Sequence, residues 1–417
     1  MLLTSMLRIF LTYSFKPFVL KGNFNKNLDF KGINNLGLYV HIPFCKSLCS
    51  FCPYCKELYS KEKATTYKRA LLKEIDLSGK NLDGKKEVAS LYIGGGTPAI
   101  MINDLGEIIA RVKKYFSIKG GIGIELHPDD ITTANLQKLV SAGVTMVSIG
   151  IQSFDLDCLD KLGRNSNASI EKLGLVKSYG FQTIDVDLIF AIPGQTGASL
   201  VNDVKTAFEA GATQVSTYPF IDFSYSSNIY KPIPDKTKKK MLKMLADYCD
   251  NHKIDRSSVW TFNKQEAAIY SSITRDSYLG FGVSAASLLN SRFTINTHSV
   301  SGYIERLNKG LLPTSLTLDF TKKQKAAYYL FWNSYNLRIN KNRFTEMFGI
   351  PLNSMFGIQL YIAKKLGYIR EYADTYDLTA RGTALFHSIE QAYTRSYIDK
   401  MWNISRLEPF PERIVLR

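Results

Sequence analysis

At 417 residues the chain has room for one large domain and a smaller one, and its 45% apolar content can fill a sizeable core, which excludes a globally disordered protein. The net charge of +16 leaves room for an acidic partner, but the basic residues are spread along the chain, with one dense run at 236–240, so a solvated lysine-rich surface is the plainer reading than a nucleic-acid interface. Six cysteines in so long a chain do not suit a small secreted disulfide framework, and no run of about 18 apolar residues occurs, so no membrane span is expected.

In chain order, Met1–Leu20 is apolar with Arg8 and Lys16 inside it. Tyr13 to Lys16 break the run and no small-x-small cleavage site follows, so residues 1–35 are expected to pack on the body as an amphipathic segment rather than act as a signal peptide. Leu36–Ile42 reads as a buried strand. Lys63–Leu77 has helical spacing, and Ala89–Ile93 is a strand ending in Gly94-Gly95-Gly96-Thr97-Pro98. The same alternation continues through Leu105–Tyr115 (helix), Ile122–Leu126 (strand), Ala134–Ser141 (helix), Thr145–Ile151 (strand), Ile170–Ser178 (helix), Phe181–Phe190 (strand), Leu200–Ala210 (helix) and Gln214–Tyr218 (strand). Strands alternating with helices predict βαβ units, and near-continuous apolar strands predict a parallel sheet covered on both faces.

Cys45, Cys49, Cys52 and Cys55 fall in the loop after the first of these strands. The first three, in C-x3-C-x2-C spacing, can place three thiolates on three corners of a 4Fe–4S cube and leave the fourth iron free for a small molecule. A structural zinc site usually takes two pairs from separate segments, and a two-cluster ferredoxin needs a second cysteine run; neither is present. Cys158 and Cys249 are isolated and read as small buried hydrophobes or surface thiols. Polar residues recur at strand C-terminal ends (Gly94–Thr97, Glu125, Gln152, Asp187, Tyr218), where α/β proteins bind ligands. Asp187 within an apolar strand suggests function, because an unpaired buried carboxylate is costly, whereas Asp185 sits deeper and suits a structural hydrogen-bond role. The glycine turn is no P-loop, since the terminal Gly-Lys-Ser/Thr is missing.

These segments together resemble the radical S-adenosylmethionine (SAM) enzymes related to oxygen-independent coproporphyrinogen III oxidase. The resemblance is carried by His41–Cys52, the Leu91–Pro98 glycine turn, the Ile124–Pro128 segment, Val147–Phe154 with Leu162-Gly-Arg164, Asp187–Gln195 and the glycine-rich Tyr278–Ser287. It implies an α/β fold: a partial (β/α)6 radical SAM barrel over residues 36–300 with an extension, then an α-rich winged-helix-like domain over 301–417. In that last domain helices are expected near Lys322–Ser334 and Ser354–Lys365, and wing strands at Gly367–Glu371 and Tyr376–Leu378. Such a domain could bind DNA, but in this family it looks like a lid over the substrate cavity.

By the same resemblance Cys45, Cys49 and Cys52 bind the cluster, Gly95, Gly96 and Thr97 contact SAM, Glu125 orients it, and Tyr39 and Phe51 flank it. Gln152, Arg164 and Asp187 match positions that bind or adjoin a second SAM. Tyr39, His41, Gln152 and Asp187 form the candidate catalytic set, His41 being either a bridge to solvent or substrate or a structural hydrogen-bond partner. The implied activity is cleavage of SAM to a 5′-deoxyadenosyl radical acting on a tetrapyrrole or similar substrate, by oxidative decarboxylation or methyl transfer. A haem chaperone without oxidase activity is the alternative, for which His298 and His387 are candidate haem ligands, and nucleic-acid modification is a third reading. A flavodoxin- or ferredoxin-type reductant and a reducing cytoplasm complete the picture. Two departures bear on the activity: Cys55 follows Cys52 in C-x2-C where the oxidase has C-x-C, and the segment Ser271–Asp276 resembles uncharacterised relatives rather than the oxidase.

Overall fold

The computed structural model describes residues 2–22, 28–164, 169–265 and 276–417; of the segment Ser271–Asp276 only Asp276 falls within them. Helix α1 (Leu2–Thr12) is followed by strands β1 (Phe18–Lys21) and β2 (Leu36–Ile42). Helix α2 (Lys61–Gly79) leads to β3 (Ser90–Gly95), α3 (Ile102–Tyr115) to β4 (Ile122–Leu126), and α4 (Thr133–Ser141) to β5 (Met146–Gln152). Then α5 (Ser169–Lys177) leads to β6 (Thr183–Phe190), and α6 (Gly197–Ala210) to β7 (Gln214–Pro219). The helix boundaries are chemically marked. Ser60 and Thr132 each accept the amide of the residue three on, and Thr196 with Ser199 closes a capping box. Strand β2 buries nearly every residue, which only a sheet covered on both faces allows.

Strands β2 to β7 lie side by side and parallel in sequence order, the rhythm read from the sequence. Beyond β7 come the antiparallel β9 (Thr261–Lys264) and β8 (Ile254–Arg256). Beyond β2 the barrel does not close. Strand β10 (Ser277–Phe281), the start of the late glycine-rich motif, pairs parallel to β2 as a strand that periodicity did not reveal. Gly280 within it and Gly282 after it break the apolar pattern that marks the others. The sheet continues antiparallel through β11 (Ala286–Leu289), β12 (Arg292–Asn296) and β13 (Thr314–Asp319). It ends with β1 and β14 (Arg413–Leu416), giving fourteen strands in one sheet among the described residues.

The C-terminal region holds α7 (Lys322–Tyr335), α8 (Lys341–Phe348) and α9 (Leu352–Lys365) around a three-stranded antiparallel sheet of Arg338–Asn340, Thr375–Leu378 and Ile369–Glu371, a winged-helix arrangement. Its core is separate, built on Phe344, Phe348 and Phe356. Helices α10 (Ala380–Tyr393) and α11 (Asp399–Leu407) follow. Two features concern the ends of the chain. The winged-helix part begins after β13, because the residues from 314 are paired in the main sheet, and the last strand returns to that sheet. Within residues 1–35, α1 packs on α7, α9 and α10, while β1 enters the sheet beside the last strand.

Candidate active site at the strand C-terminal ends

The loop leaving β2 crosses the C-terminal end of the parallel sheet, and backbone bonds fix its path. Gly96 N donates to the Ile42 carbonyl at 2.7 Å, Thr97 N to Phe44 at 2.8 Å, and Glu57 N to Pro43 at 2.7 Å. Lys56 Nζ donates to the carbonyls of Cys49 and Cys52 at 2.6 and 2.8 Å, tying the middle of the loop to its end. Cys45, Cys49 and Cys52 are half-buried, and Cys55 is buried with its Sγ donating to the His298 carbonyl at 3.3 Å. Thr97 Oγ1 donates to Cys45 Sγ at 3.6 Å, and Arg164 Nη1 to Cys49 Sγ at 3.8 Å.

Burial pushes the Cys45 thiol up to about 11, with Cys52 and Cys49 adding to the rise and Thr97 opposing it. Burial also raises Cys52, against the charge of Lys56. Positive charge from a bound cation would favour the thiolate form of both. Among the described residues no three His, Cys, Asp or Glu side chains gather closely enough to hold a single metal ion. The donor set is therefore three thiols displayed along one loop, with glycine backbone beside them: a Cβ on Gly96 would lie 2.7 Å from the Phe44 carbonyl oxygen and 2.9 Å from Cys45 Sγ. Three thiols and a fourth position left to a small ligand fit a 4Fe–4S cluster, and Cys55, engaged elsewhere, is not needed for it.

The glycine turn after β3 lies against Glu125 at the end of β4. Gly95 N donates to Glu125 Oε2 at 2.9 Å. Burial raises the Glu125 carboxyl, while Gly95 N–H and the Tyr92 hydroxyl oppose the shift. Gly95 has φ 120°, and a Cβ there would meet the His41 ring at 2.6 Å, so only glycine fits. His41 is buried with both nitrogens engaged: Nε2 bonds the Cys55 carbonyl at 2.8 Å and Nδ1 the Tyr39 hydroxyl at 3.0 Å. The carbonyl can only accept, so Nε2 carries the hydrogen and Tyr39 donates to Nδ1. Burial lowers the ring to about 4, which keeps it neutral. His41 thus joins the end of β2 to the end of the cysteine loop, and Tyr39 also stacks on Tyr92.

On the other side, β5 bulges where Asp187 pairs with Gly150 and Leu188 with Gln152, and Gln152 takes φ 75°. Arg164 Nη2 donates to the Gly150 carbonyl, and a Cβ on Gly150 would lie 2.8 Å from Gln152 Nε2 and 3.6 Å from Arg164 Nη2. Gly150, Gln152 and Arg164 therefore form one group that touches the cysteine loop through Cys49. Asp187 accepts from Ser148 Oγ at 2.6 Å, and burial, with the Asp185 charge adding to it, holds its carboxyl well above the usual range. Asp185 is bonded by Gln214 and Ser216, both at 2.9 Å, the structural role expected of it. Phe51 lies with Cys158, Leu162, Ile189, Ile192 and Phe220 in a small apolar cluster, and not with Tyr39. Sequence reading passed over Lys56, although a cation one residue beyond the cysteines was a usable sign. It could not find Arg406 Nη2, which donates to the Pro53 carbonyl, or Trp402, whose ring lies 6.0 Å from that of Tyr54, because both are distant in sequence.

Neither candidate haem ligand is open. His387 accepts from Trp260 Nε1 at 2.9 Å and contacts Gln391 at 2.8 Å through its other nitrogen. His298 is buried, and burial lowers both rings to about 3. No helix among the described residues is long and apolar enough to cross a membrane.

Residues 39–207 match the radical SAM superfamily. The heme chaperone HemW of Bacillus subtilis is 27% identical over 374 residues, which cover 85% of this chain and 98% of that one. The oxygen-independent coproporphyrinogen III oxidase of Helicobacter pylori is 22% identical over 407 residues, covering 90% and 89%. Among solved structures, coproporphyrinogen III oxidase (HemN) from Escherichia coli superposes with a TM-score of 0.73 at 21% identity, over 87% of this chain and 90% of that one. With the thiol loop, glycine turn and parallel sheet in place, residues 39–207 form a radical SAM domain, and the chain is similar along most of its length to heme chaperones and oxygen-independent coproporphyrinogen III oxidases.

Proposed function

We propose that this protein is a radical SAM enzyme acting on a tetrapyrrole or a similar planar substrate, by oxidative decarboxylation or methyl transfer. The observation that carries the reading is the placement of Cys45, Cys49 and Cys52 on one loop against the Gly95–Thr97 turn and Glu125. Cys45, Cys49 and Cys52 would hold a 4Fe–4S cluster, which when bound supplies the electron that cleaves SAM to methionine and a 5′-deoxyadenosyl radical. Gly95 and Gly96 let a ligand approach the backbone closely, and Thr97 steadies Cys45. Glu125, already oriented by Gly95 N–H, offers a carboxylate to the ligand's ammonium group. Tyr39 and His41 brace the loop, while Phe51 closes its apolar side against water. Gln152, Arg164 and Asp187 form the far wall, where a second SAM or the substrate would lie; the raised Asp187 carboxyl is suited to giving a proton. The winged-helix part covers the substrate side, and an acidic flavodoxin- or ferredoxin-type donor in a reducing cytoplasm suits the basic surface.

The test is anaerobic reconstitution with iron and sulfide, reduction, and mass spectrometry for methionine and 5′-deoxyadenosine with and without a porphyrinogen. Turnover that rises with the tetrapyrrole supports the reading; a reduced, iron-loaded protein that leaves SAM intact would overturn it. A second reading, a haem-binding protein, is favoured by the likeness to a heme chaperone along 98% of that relative's length. It predicts stoichiometric haem binding with no tetrapyrrole-dependent turnover.

A further inference from the structure

A cavity lies away from the strand ends. It holds about 470 Å3 between α1, the β13–β1–β14 end of the main sheet and the C-terminal helices, and no residue of the cysteine loop, the glycine turn or the β4–β6 ends lines it. Its volume falls in the range of small-molecule sites, whereas packed interiors leave few voids larger than a water. The walls are apolar, with Leu11, Phe18, Phe331 and Phe386 among them. One charged group breaks this pattern. Arg8 lines the cavity with 8% of its surface exposed. Its Nη1 donates to the carbonyls of Ser14, at 3.0 Å, and Lys16, so these described partners are backbone groups and not carboxylates. Its Nε has no partner.

Two more buried polar atoms on the same wall are unpartnered: the Tyr397 hydroxyl and Gln359 Oε1. Burial raises the Tyr397 phenol, and the charge of Arg8 together with its side chain at hydrogen-bonding range opposes the rise, so the two groups are neighbours, while neither the Tyr397 hydroxyl nor Arg8 Nε has a partner in good hydrogen-bond geometry. A buried guanidinium without a countercharge is costly, and an arginine N–H with a tyrosine hydroxyl offers two donors to an oxyanion. Gln359 Oε1 adds an acceptor that an ordered water can satisfy, its amide nitrogen being held by the Phe10 carbonyl and the Tyr13 hydroxyl at 2.7 and 2.8 Å.

We propose that this cavity binds an amphipathic acid of the acyl-chain class, its carboxylate received by Arg8 and Tyr397 and its hydrocarbon body filling the space among α1, α7 and α10. The site is independent of the chemistry assigned to the cysteine loop. The test uses the full chain and oleate, read by thermal midpoint and by displacement of a fluorescent acyl probe, with oleyl alcohol as the uncharged body and acetate as the head alone. Oleate should raise the midpoint and displace the probe, and acetate should do neither. Arg8→Met should weaken oleate by about tenfold or more, the loss of a charge-assisted pair. The same change should leave oleyl alcohol unaffected. Ala327→Trp, which fills the cavity from α7, should abolish binding of both; it decides the matter if Arg8→Met does not fold. Equal oleate affinity in wild type and Arg8→Met, unchanged binding in Ala327→Trp, or displacement by a porphyrin but not by oleate would each overturn the proposal.

Discussion

Gly96 shows how tightly the site is built at the scale of one residue. A methyl group there would press on both the Phe44 carbonyl and Cys45 Sγ, neither of which can withdraw freely. Gly96→Ala should therefore cost roughly 1–3 kcal/mol of stability and lower both bound iron and SAM affinity, as iron analysis and equilibrium binding would show. The cysteines divide the same way. Alanine at Cys45, Cys49 or Cys52 should abolish cluster assembly, whereas Cys55→Ala, which removes a buried thiol bonded to the His298 carbonyl, should keep most of its iron and sulfide. Equal loss in all four variants would contradict this division. Glu74 offers a pH test. Burial raises its carboxyl from 4.5 to about 7, against hydrogen bonds from Tyr303, Gly282 and Asn296. A raised folded value means stability that is full below 4.5 and lost as pH rises through about 7, on the order of 3 kcal/mol for this shift. Glu74→Gln should flatten the decline in thermal midpoint between those limits relative to wild type; identical slopes would rule the effect out.

At the scale of elements, the cysteine loop is held by a helix from the far end of the chain. In α11, Arg406 donates to the Pro53 carbonyl and stacks over Tyr225 at 4.3 Å, while the Trp402 ring lies within 6.3 Å of Phe223 and 6.0 Å of Tyr54. Arg406→Ala and Trp402→Ala should leave far-ultraviolet circular dichroism unchanged but shorten the lifetime of the brown chromophore several-fold under chelator challenge, because the loop loses its outer support. Loss of chromophore at the wild-type rate would show that Lys56 and the backbone bonds suffice. The strand–helix alternation was legible because each parallel strand is an apolar run and three of the crossover helices carry their own caps, at Ser60, Thr132 and Thr196. Strand β10 was not, since a short segment with Gly280 in it becomes a strand only through pairing with β2.

For the whole molecule, the two chain ends share one edge of the sheet. Strand β1 lies between β13 and β14, so removing residues 413–417 strips one side of β1 and exposes surface covered by Ile414 and Leu416. The expected loss is on the order of 4–5 kcal/mol for two buried aliphatic side chains, visible as a lower thermal midpoint; an unchanged midpoint would mean that the edge adds nothing. The net charge of +16 acts over longer range. Reduction by the acidic donor proposed above should slow steeply as salt rises, since surface steering is screened over about 10 Å at 0.1 M; a salt-independent rate would remove charge from the account.

The local sequence by itself determined the thiol loop, the glycine turn, the alternating strands and the polar strand ends, because ligand spacing, apolar runs and glycine conformations are properties of a few adjacent residues. Only the tertiary structure decided the rest: that Phe51 packs on a small apolar cluster with Cys158 and Phe220, that both nitrogens of His41 are taken, that Arg406 grips the cysteine loop, and that Arg8 is buried in an apolar cavity. Those outcomes depend on which distant segments meet, and packing sets that over hundreds of residues where no short pattern records it.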